Sequence, residues 1–458
     1  MIRLRIKADQ RAGRPSRPAR LVLGPGVAAG LALALAPLPV AAAAPLEGAV
    51  LARPAYGQSV EDFYAARGWQ PLWLRQSNGD AATELLMLLR TARSDGLNPK
   101  RYRTREIERA LRAAWGGNPH AVRRAELELS SAYVAYARDL RDAPDVGTIY
   151  VDPELRPKAP SPRALLELAA ASPSLPRFVA GMGWMHPYYA ELRNALIQGN
   201  FGERSQPQLL QLNLERARSL PGGLGRYVVV NIAQQRLFMM ENGQVVDSMR
   251  VVVGKPVQPT PMMAALIRFT SLNPYWNVPP DLAAERVAPF VLKEGLGFLR
   301  SRGYQVLSDW SDNPKVVNPS TVDWRAVAEG RTEIRVRQLP GPSNSMGAMK
   351  FMFPNAQGIY LHDTPSTELF NEASRMFSGG CVRLEAAPRL ATWLYGKPLR
   401  AKGAKPEQAV PLPQPVPVYL TYLTAVPSGS EVAFYQDIYG RDAQRLAQRR
   451  GGREVAAR

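Results

Sequence analysis

The stretch YVVVNIAQQRLFMMENGQVVDSMRVVVGK, residues 227–255, decides which fold the C-terminal half of the chain adopts. It is rich in valine and other apolar residues, and Glu241-Asn242-Gly243 is a tight-turn signal between two apolar runs. The pattern predicts a strand, a turn and a second strand. The preceding SLPGGLG, residues 219–225, is punctuated by Pro and Gly and is typical of a linker.

Downstream of this stretch the chain keeps its β character. A more helical segment, residues 281–310, interrupts the strand-like runs, and we interpret it as part of an inserted lid. The predicted strands are ALIRFTSL (265–272), TEIRVRQL (332–339), KFMFP (350–354), GIYLHD (358–363) and VPVYLTYLTA (416–425).

Upstream of the linker the apolar residues recur at helical spacing. Leu85, Leu86, Leu89 and Ala92 lie on one helix face, and GLNP at 96–99 is a helix stop. Further helices are predicted over 105–115, 126–142 and 162–172. The fold class is therefore α+β. Its parts are a signal peptide (1–43), a helical scaffold domain (44–218), a β-rich catalytic domain (225–426) with a capping insertion (281–348), and a basic tail (427–458).

The first 43 residues have the composition of a Sec-type export signal. Seven basic residues against Asp9 precede an apolar run that Pro25, Pro37 and Pro39 interrupt and that ends in small residues suited to cleavage. A retained membrane anchor is the alternative. After cleavage we expect no integral membrane segment and a periplasmic location.

Net charge bears on the partners of the chain. The formal charge is +19, but the basic residues are scattered and no aromatic-basic ribbon accompanies them, so nucleic acid is not an expected partner. An anionic cell-wall polymer suits an exported basic protein better. Residues 441–458 carry six Arg against two acidic residues and are predicted to form a frayed, solvated helix.

Cys381 is the only cysteine in 458 residues, and it lies in MFSGGCVRLE, residues 376–385. A lone thiol in an oxidising compartment is either buried or reactive. The active-serine pattern Ser-x-x-Lys, His-Glu-x-x-His and Gly-x-Ser-x-Gly are all absent, and three histidines with one cysteine make a structural zinc site implausible. A cysteine nucleophile therefore stands out, and no metal or organic cofactor is expected.

A nucleophilic thiol needs a base and an oxyanion hole. His362 ends the predicted strand GIYLH nineteen positions before Cys381, whereas His120 and His186 lie in the helical half. The glycines at 379 and 380 permit tight backbone geometry, so the amides of Gly380 and Cys381 can approach a substrate carbonyl. Arg383 would lower the thiol pKa or bind a substrate carboxylate.

The run HDTPSTELFNEASRMFSGGCVR, residues 362–383, resembles the active-site motif of L,D-transpeptidases with a YkuD-type catalytic domain. RYVVVNIAQQRLF, VVVGKPVQPTP, NPYWNVPP, RQLPGPSNSMGAMKFMFPN and VPVYLTYLTA with DIYGRD are similar to the large periplasmic branch of that family. FYAARGWQPLW and DGLNPKRY resemble its N-terminal scaffold domain. The similarity covers nearly all of the chain after the signal.

The resemblance implies a role for each residue of the motif. Cys381 would be the nucleophile and His362 its base, with oxyanion donation and loop support from Ser378, Gly379 and Gly380. The implied substrate-binding residues are Tyr360, Asp363 and Arg383. Peptidoglycan stem peptides would be the substrate, and cell-wall synthesis proteins would be the partners.

Two departures from the family pattern accompany the resemblance. Position 379 is Gly where the family at large usually has His, so the contribution of that imidazole is missing. The peptidoglycan-binding module that many large members carry also has no room between residues 203 and 206.

We expect a transpeptidase that forms 3-3 crosslinks. A carboxypeptidase or crosslink-cleaving hydrolase, and a catalytically weakened wall-binding scaffold, remain as alternatives.

Overall fold

The computed structural model describes residues 56–75, 80–199, 207–223, 225–311, 313–429 and 431–456, with side chains described as far as residue 449. The predicted signal peptide lies outside these residues. None of the described helices combines the length and the apolarity that crossing a bilayer requires.

The N-terminal part is helical, as predicted, and its helices pack around one apolar core. At its centre the buried Glu126 carboxylate accepts hydrogen bonds from the backbone N–H groups of Trp73 and Leu74. Arg193 and Asp95 form a buried ion pair, with Nε 2.8 Å from Oδ1. The helices are α1 (Gly57–Ala66), α2 (Ala81–Arg90), α3 (Thr104–Ala114), α4 (Pro119–Arg141), α5 (Pro162–Ala170), α6 (Leu175–Ala180), α7 (Pro187–Gln198) and α8 (Pro207–Ala217).

The C-terminal part is built on one large mixed sheet whose strand pairings close into a ring. Around the ring the order is β5-β10-β11-β13-β4-β3-β2-β14, and β14 also pairs with β5; β1 is added at β5, and β12 at β4. The strands are β1 (Ile149–Tyr150), β2 (Arg226–Asn231), β3 (Arg236–Glu241), β4 (Gln244–Gly254), β5 (Met263–Leu272), β6 (Trp276–Val278), β7 (Tyr304–Leu307), β8 (Val316–Val317), β9 (Arg335–Gln338), β10 (Met349–Met352), β11 (Leu361–His362), β12 (Met376–Ser378), β13 (Val382–Leu384), β14 (Gln408–Thr421), β15 (Ala425–Ser428) and β16 (Glu431–Phe434).

Side chains along each strand point alternately to the two faces of the sheet, and one of these faces forms the core of the ring. One face of β2, β3, β5, β11 and β13 contributes apolar side chains to a buried cluster, which the helix α13 (Ala387–Tyr395) completes. Leu361 and Val382 belong to this cluster. The neighbouring residues on the same two strands must therefore face the other way.

The sequence prediction for residues 227–255 missed one turn. The turn at Asn242-Gly243 is present, but a second turn at 232–235 divides the first predicted strand into β2 and β3. Gln235 adopts a left-handed φ of 53° there. The α+β class, with helices followed by a β-rich domain, is confirmed.

The capping insertion is less helical than predicted. It contains a helical run beginning at Pro280, with the helices α9 (Pro280–Leu282), α10 (Ala288–Glu294), α11 (Gly297–Ser301) and α12 (Trp324–Ala328), and a π-helical turn at Ala283–Val287. Its strands β7, β8 and β9 form an antiparallel sheet with β6, which precedes the predicted start of the insertion at residue 281, in the order β6-β9-β7-β8. These elements share a separate apolar core, against which Tyr360 packs.

The C-terminal residues also differ from the solvated tail expected from the sequence. β15 and β16 form a hairpin, and Val432 and Phe434 of β16 pack against the core of the helical part. The last helix, α14 (Arg441–Ala456), buries Asp442 against Arg216 of α8. The first turn of this helix is therefore packed rather than frayed.

Candidate active site

Strands β11 and β13 bring the predicted site residues together. They pair in parallel, with Leu361 opposite Val382 and His362 opposite Arg383. Because Leu361 and Val382 face the core, the residues on either side of each project from the opposite face. Tyr360 therefore lies beside Cys381, and His362, two residues further along β11, lies diagonally across from the thiol.

The Cys381 thiol is held by polar groups of the neighbouring strand. Its Sγ lies 3.5 Å from the Gly358 carbonyl oxygen, to which the thiol donates. The backbone N–H and the side chain of Tyr360 also hydrogen-bond to the sulfur. Burial raises the pKa of the thiol to about 11, and these hydrogen bonds with the charges of Arg383 and Lys350 oppose that rise. The resting thiol is therefore protonated at neutral pH.

His362 is 2% exposed, and its ring is oriented by the backbone. Nδ1 lies 2.6 Å from the carbonyl oxygen of Asp363, an acceptor only, so Nδ1 carries the proton and Nε2 has a free lone pair. Burial, followed by the charge of Arg383, lowers the His362 pKa to about 3. The imidazole is thus neutral and able to accept a proton.

The loop carrying Cys381 is fixed by its own residues. Ser378 Oγ donates to the Cys381 carbonyl at 2.6 Å and accepts the N–H of Gly380 at 3.1 Å. Gly380 has a φ of 112°, which a residue with a side chain rarely adopts. Since the Gly380 N–H is occupied, it is not free to donate to an oxyanion, whereas the N–H of Cys381 has no acceptor among the described residues.

A second loop, Gly254–Thr260, holds the Cys381 loop from the side, and we call it the bracing loop. Thr260 Oγ1 donates to the Gly380 carbonyl at 2.7 Å, and the Lys255 N–H donates to the Ser378 carbonyl at 2.9 Å. Sequence reasoning did not single out any residue of this loop, because its contacts with the cysteine join residues more than a hundred positions apart.

Gln258 of the bracing loop fills the space beside Gly379. A Cβ built on Gly379 would lie 3.3 Å from Gln258 Oε1 and 3.6 Å from Leu282 Cδ1. The family's usual histidine would therefore meet Gln258 and the capping insertion at this position.

Cations surround the His362 side of the site. Lys350 of β10 lies opposite His362, and its Nζ pairs with Glu407 Oε1 at 3.2 Å. The Arg383 Nε is buried without a hydrogen-bond partner among the described residues. Arg286 of the capping insertion lies close enough to lower the Arg383 pKa, after the larger effect of burial. Lys350 and Arg286 are additions to the site residues expected from the sequence.

Asp363 points away from this cluster. Its carboxylate accepts the Ala348 N–H at 2.8 Å and lies against Gly347, so it holds that turn. The substrate-binding role expected for its side chain has no support in this geometry, and its carbonyl orients His362 instead.

A thiol across the strand pair from a neutral imidazole, on a glycine turn whose Cys381 N–H has no acceptor among the described residues, has the groups needed for acyl transfer by a cysteine nucleophile. The described residues include no cluster of three or more His, Cys, Asp or Glu side chains arranged to hold a metal ion.

Comparison with known proteins finds a domain match for each of the two parts of the chain. Residues 225–418 match the L,D-transpeptidase catalytic domain (YkuD), and residues 58–196 match the scaffold domain. A Haemophilus influenzae protein named "Putative L,D-transpeptidase" is 27% identical over 392 residues, covering 83% of this chain and 77% of its own length. The chain thus carries a YkuD L,D-transpeptidase catalytic domain together with a scaffold domain.

Proposed function

We propose that the protein is an exported peptidoglycan L,D-transpeptidase that forms 3-3 crosslinks through a thioester at Cys381. The observation that carries this proposal is the register of β11 and β13, which sets the only thiol of the chain beside Tyr360 and across from a neutral His362. The catalytic-domain match supplies the reaction class and peptidoglycan as substrate.

In the first half-reaction the Cys381 sulfur attacks the carbonyl of the L-centre of diaminopimelate in a tetrapeptide stem. A carbon–sulfur bond forms while the thiol proton passes to His362 Nε2. The carbonyl electrons move to oxygen, where the free Cys381 N–H donates a hydrogen bond. His362 then returns the proton to the departing amine, the carbon–nitrogen bond breaks, and D-alanine leaves.

Charge around the site suits a donor stem, which carries carboxylates. Arg383 and Arg286 form no ion pair with a described carboxylate, and the Arg383 Nε is an unused donor. Glu368 lies close enough to raise the Arg383 pKa, but its effect is smaller than the opposing effects of burial and Arg286. Two guanidinium groups that repel one another gain when an anion binds near them. A stem carboxylate is such an anion.

In the second half-reaction a side-chain amine of a neighbouring stem attacks the thioester. A carbon–nitrogen bond forms, the carbon–sulfur bond breaks, and the amine proton reaches the sulfur through His362. A thioester keeps the acyl group activated without ATP, which fits a reaction outside the inner membrane. Water as acceptor would give the carboxypeptidase outcome instead.

The test is intact mass spectrometry of the mature protein after incubation with a carbapenem, followed by product analysis with tetrapeptide-bearing muropeptides. Cys381→Ala is the matched control. We expect a covalent adduct that the variant lacks and crosslinked dimers formed only by the native protein. An adduct accompanied only by tripeptide would favour the hydrolase. An unmodified native protein with unchanged muropeptides would leave a wall-binding scaffold.

A further inference from the structure

Gln258 presents a hydrogen-bond acceptor that the fold leaves unused. Its Oε1 is buried and accepts no hydrogen bond from any described residue, whereas its Nε2 donates to Asp281 Oδ2 at 2.7 Å. A carboxylate accepts only, so the group facing Asp281 must be the amide nitrogen, and the orientation of the amide is settled. An unsatisfied buried oxygen is costly, and a ligand donor would relieve that cost.

The position of this oxygen relative to Cys381 is fixed by the bracing loop. The Gln258 N–H donates to the Lys255 carbonyl and closes a turn. Thr260 Oγ1 donates to the carbonyl of Gly380. A Cβ on Gly254 would lie 2.2 Å from the Gln258 carbonyl oxygen, so only glycine allows the loop to fold this tightly. Gln258 Oε1 consequently lies at the Cys381 loop, beside Gly379, on the side that the capping insertion covers.

The capping insertion brings two carboxylates to this side, Asp281 and Glu285, and one cation of the bracing loop, Lys255, pairs with Glu285 at 3.1 Å. Asp281 forms no ion pair with a described residue, and its carboxylate polarises the Gln258 amide so that Oε1 becomes more negative. Arg383, Arg286 and Lys350 make the other side cationic. The site therefore has one side suited to carboxylates and one suited to an ammonium group.

We propose that Gln258 Oε1, backed by Asp281, is the binding point for the primary amine of the acceptor stem and determines that an amine rather than water receives the acyl group. The inference rests on the proposed transpeptidase function. An ammonium donates to Oε1 when it binds and then loses one proton to solvent. The neutral amine keeps an N–H directed at Oε1 while its lone pair attacks the thioester. Gln258 accepts a hydrogen bond throughout and takes no proton.

The test separates the two half-reactions in Gln258→Met, which keeps the length of the side chain and removes the acceptor. Val257→Thr, at an 80% exposed neighbour in the same loop, is the matched control. Carbapenem acylation is followed by intact mass. Crosslinked dimer and hydrolysed tripeptide are measured against the concentration of a tetrapeptide muropeptide, with the amine-acetylated muropeptide as a reference that can act as donor but not as acceptor.

We expect Gln258→Met to be acylated within about twofold of the native rate, while the acceptor KM rises roughly tenfold, the size expected for losing a hydrogen bond to a charged group. Tripeptide should increase as dimer decreases. Asp281→Asn, which keeps an acceptor for Nε2 but loses the charge, should raise the acceptor KM by a smaller factor.

An unchanged acceptor KM in Gln258→Met would overturn the inference, and so would a parallel fall in acylation, which would make Gln258 a support of the Cys381 loop. If the native protein is not acylated at all, the proposed function fails and this inference fails with it. The two failures are therefore distinguishable.

Discussion

Cys381 and His362 are both held in their uncharged forms by burial. The thiol pKa is raised to about 11 and the imidazole pKa is lowered to about 3, so neither group changes charge near neutrality. Many cysteine nucleophiles are instead activated by a lowered thiol pKa. Here the proton must move to His362 as the substrate is attacked, which makes the imidazole a base during the reaction.

The pH dependence of acylation follows from these pKa directions. Activity needs an unprotonated His362, so it should be lost only as pH falls toward 3, and a rise from thiolate formation should begin only above pH 9. We expect the carbapenem acylation rate to be flat between about pH 5 and 9 and His362→Gln to reduce it by roughly 10²–10⁴-fold. Stopped-flow or quenched mass spectrometry measures both. A sigmoidal profile with a midpoint near 6.5 would show an ordinary histidine and contradict this prediction.

At the scale of single residues, sequence reasoning reached the groups that carry reactive chemistry. Cys381 and His362 stand out because thiols and imidazoles are rare in this chain. Gln258 and Thr260 did not stand out, although both lie in the quoted block VVVGKPVQPTP, because amides and hydroxyls are common and their value here depends on contacts with residues 379 and 380. The occupied Gly380 N–H was equally hidden, since it depends on the Ser378 rotamer.

At the scale of elements, apolar patterning located strands throughout the β-rich part, including the short β9, β10 and β11, but it did not locate the helices α7 and α8. β5 lies close to its predicted bounds, whereas β14 begins at Gln408, eight residues before the predicted strand at 416, because Pro411, Pro413 and Pro415 interrupt the apolar pattern there. In the capping sheet, β9 lies within the predicted strand at 332–339, whereas β7 and β8 are only four and two residues long and follow a helical segment, so no pattern of period two could develop there. The turn at 232–235 contains no Gly or Pro, and a non-glycine residue takes the left-handed position.

The bracing loop provides a prediction about glycine. A methyl group on Gly254 would overlap backbone atoms, 2.2 Å from the Gln258 oxygen and 2.7 Å from the Thr260 nitrogen, so the loop would have to move off the Cys381 loop. We expect Gly254→Ala to lose about 1–3 kcal/mol of stability and to acylate more slowly. Urea unfolding and carbapenem adduct formation are the measurements.

Gly116→Ala is the matched control for this prediction, because nothing lies within 4 Å of a Cβ at that position and its φ is not left-handed. It should leave both measurements unchanged. If Gly254→Ala behaved like Gly116→Ala, the loop would not position the cysteine.

At the scale of the whole molecule, one polar network links the helical part, the last helix and the bracing loop. Asn213 of α8 bonds to Thr424, whose Oγ1 donates to Asp442 Oδ2 at 2.5 Å. Asp442 pairs with Arg216. The next residue along α14, Arg441, donates to the carbonyl of Thr260 at 2.9 Å. Such a network is invisible in the sequence, where the tail is simply a basic run.

This network predicts that the C-terminal helix is required for both stability and catalysis. The side chains of Arg216 and Asp442 are only 4% and 7% exposed, so Asp442→Asn leaves a buried guanidinium without a counter-charge. We expect a loss of roughly 3–5 kcal/mol in the free energy of unfolding, measured by urea denaturation. Acylation should also slow, because α14 would no longer hold Arg441 against the bracing loop.

Two further variants distinguish this prediction from a general effect of charge. Glu215→Gln removes a partly exposed partner of Arg449 on the same pair of helices and should cost less than about 1 kcal/mol. Arg216→Met with Asp442→Leu removes both buried charges and should recover much of the stability lost in Asp442→Asn. Since the double variant leaves Arg441 in place, its acylation rate should recover together with its stability. Recovery of stability without recovery of the rate would mean that the Asp442 carboxylate itself, rather than the packing of α14, holds the bracing loop.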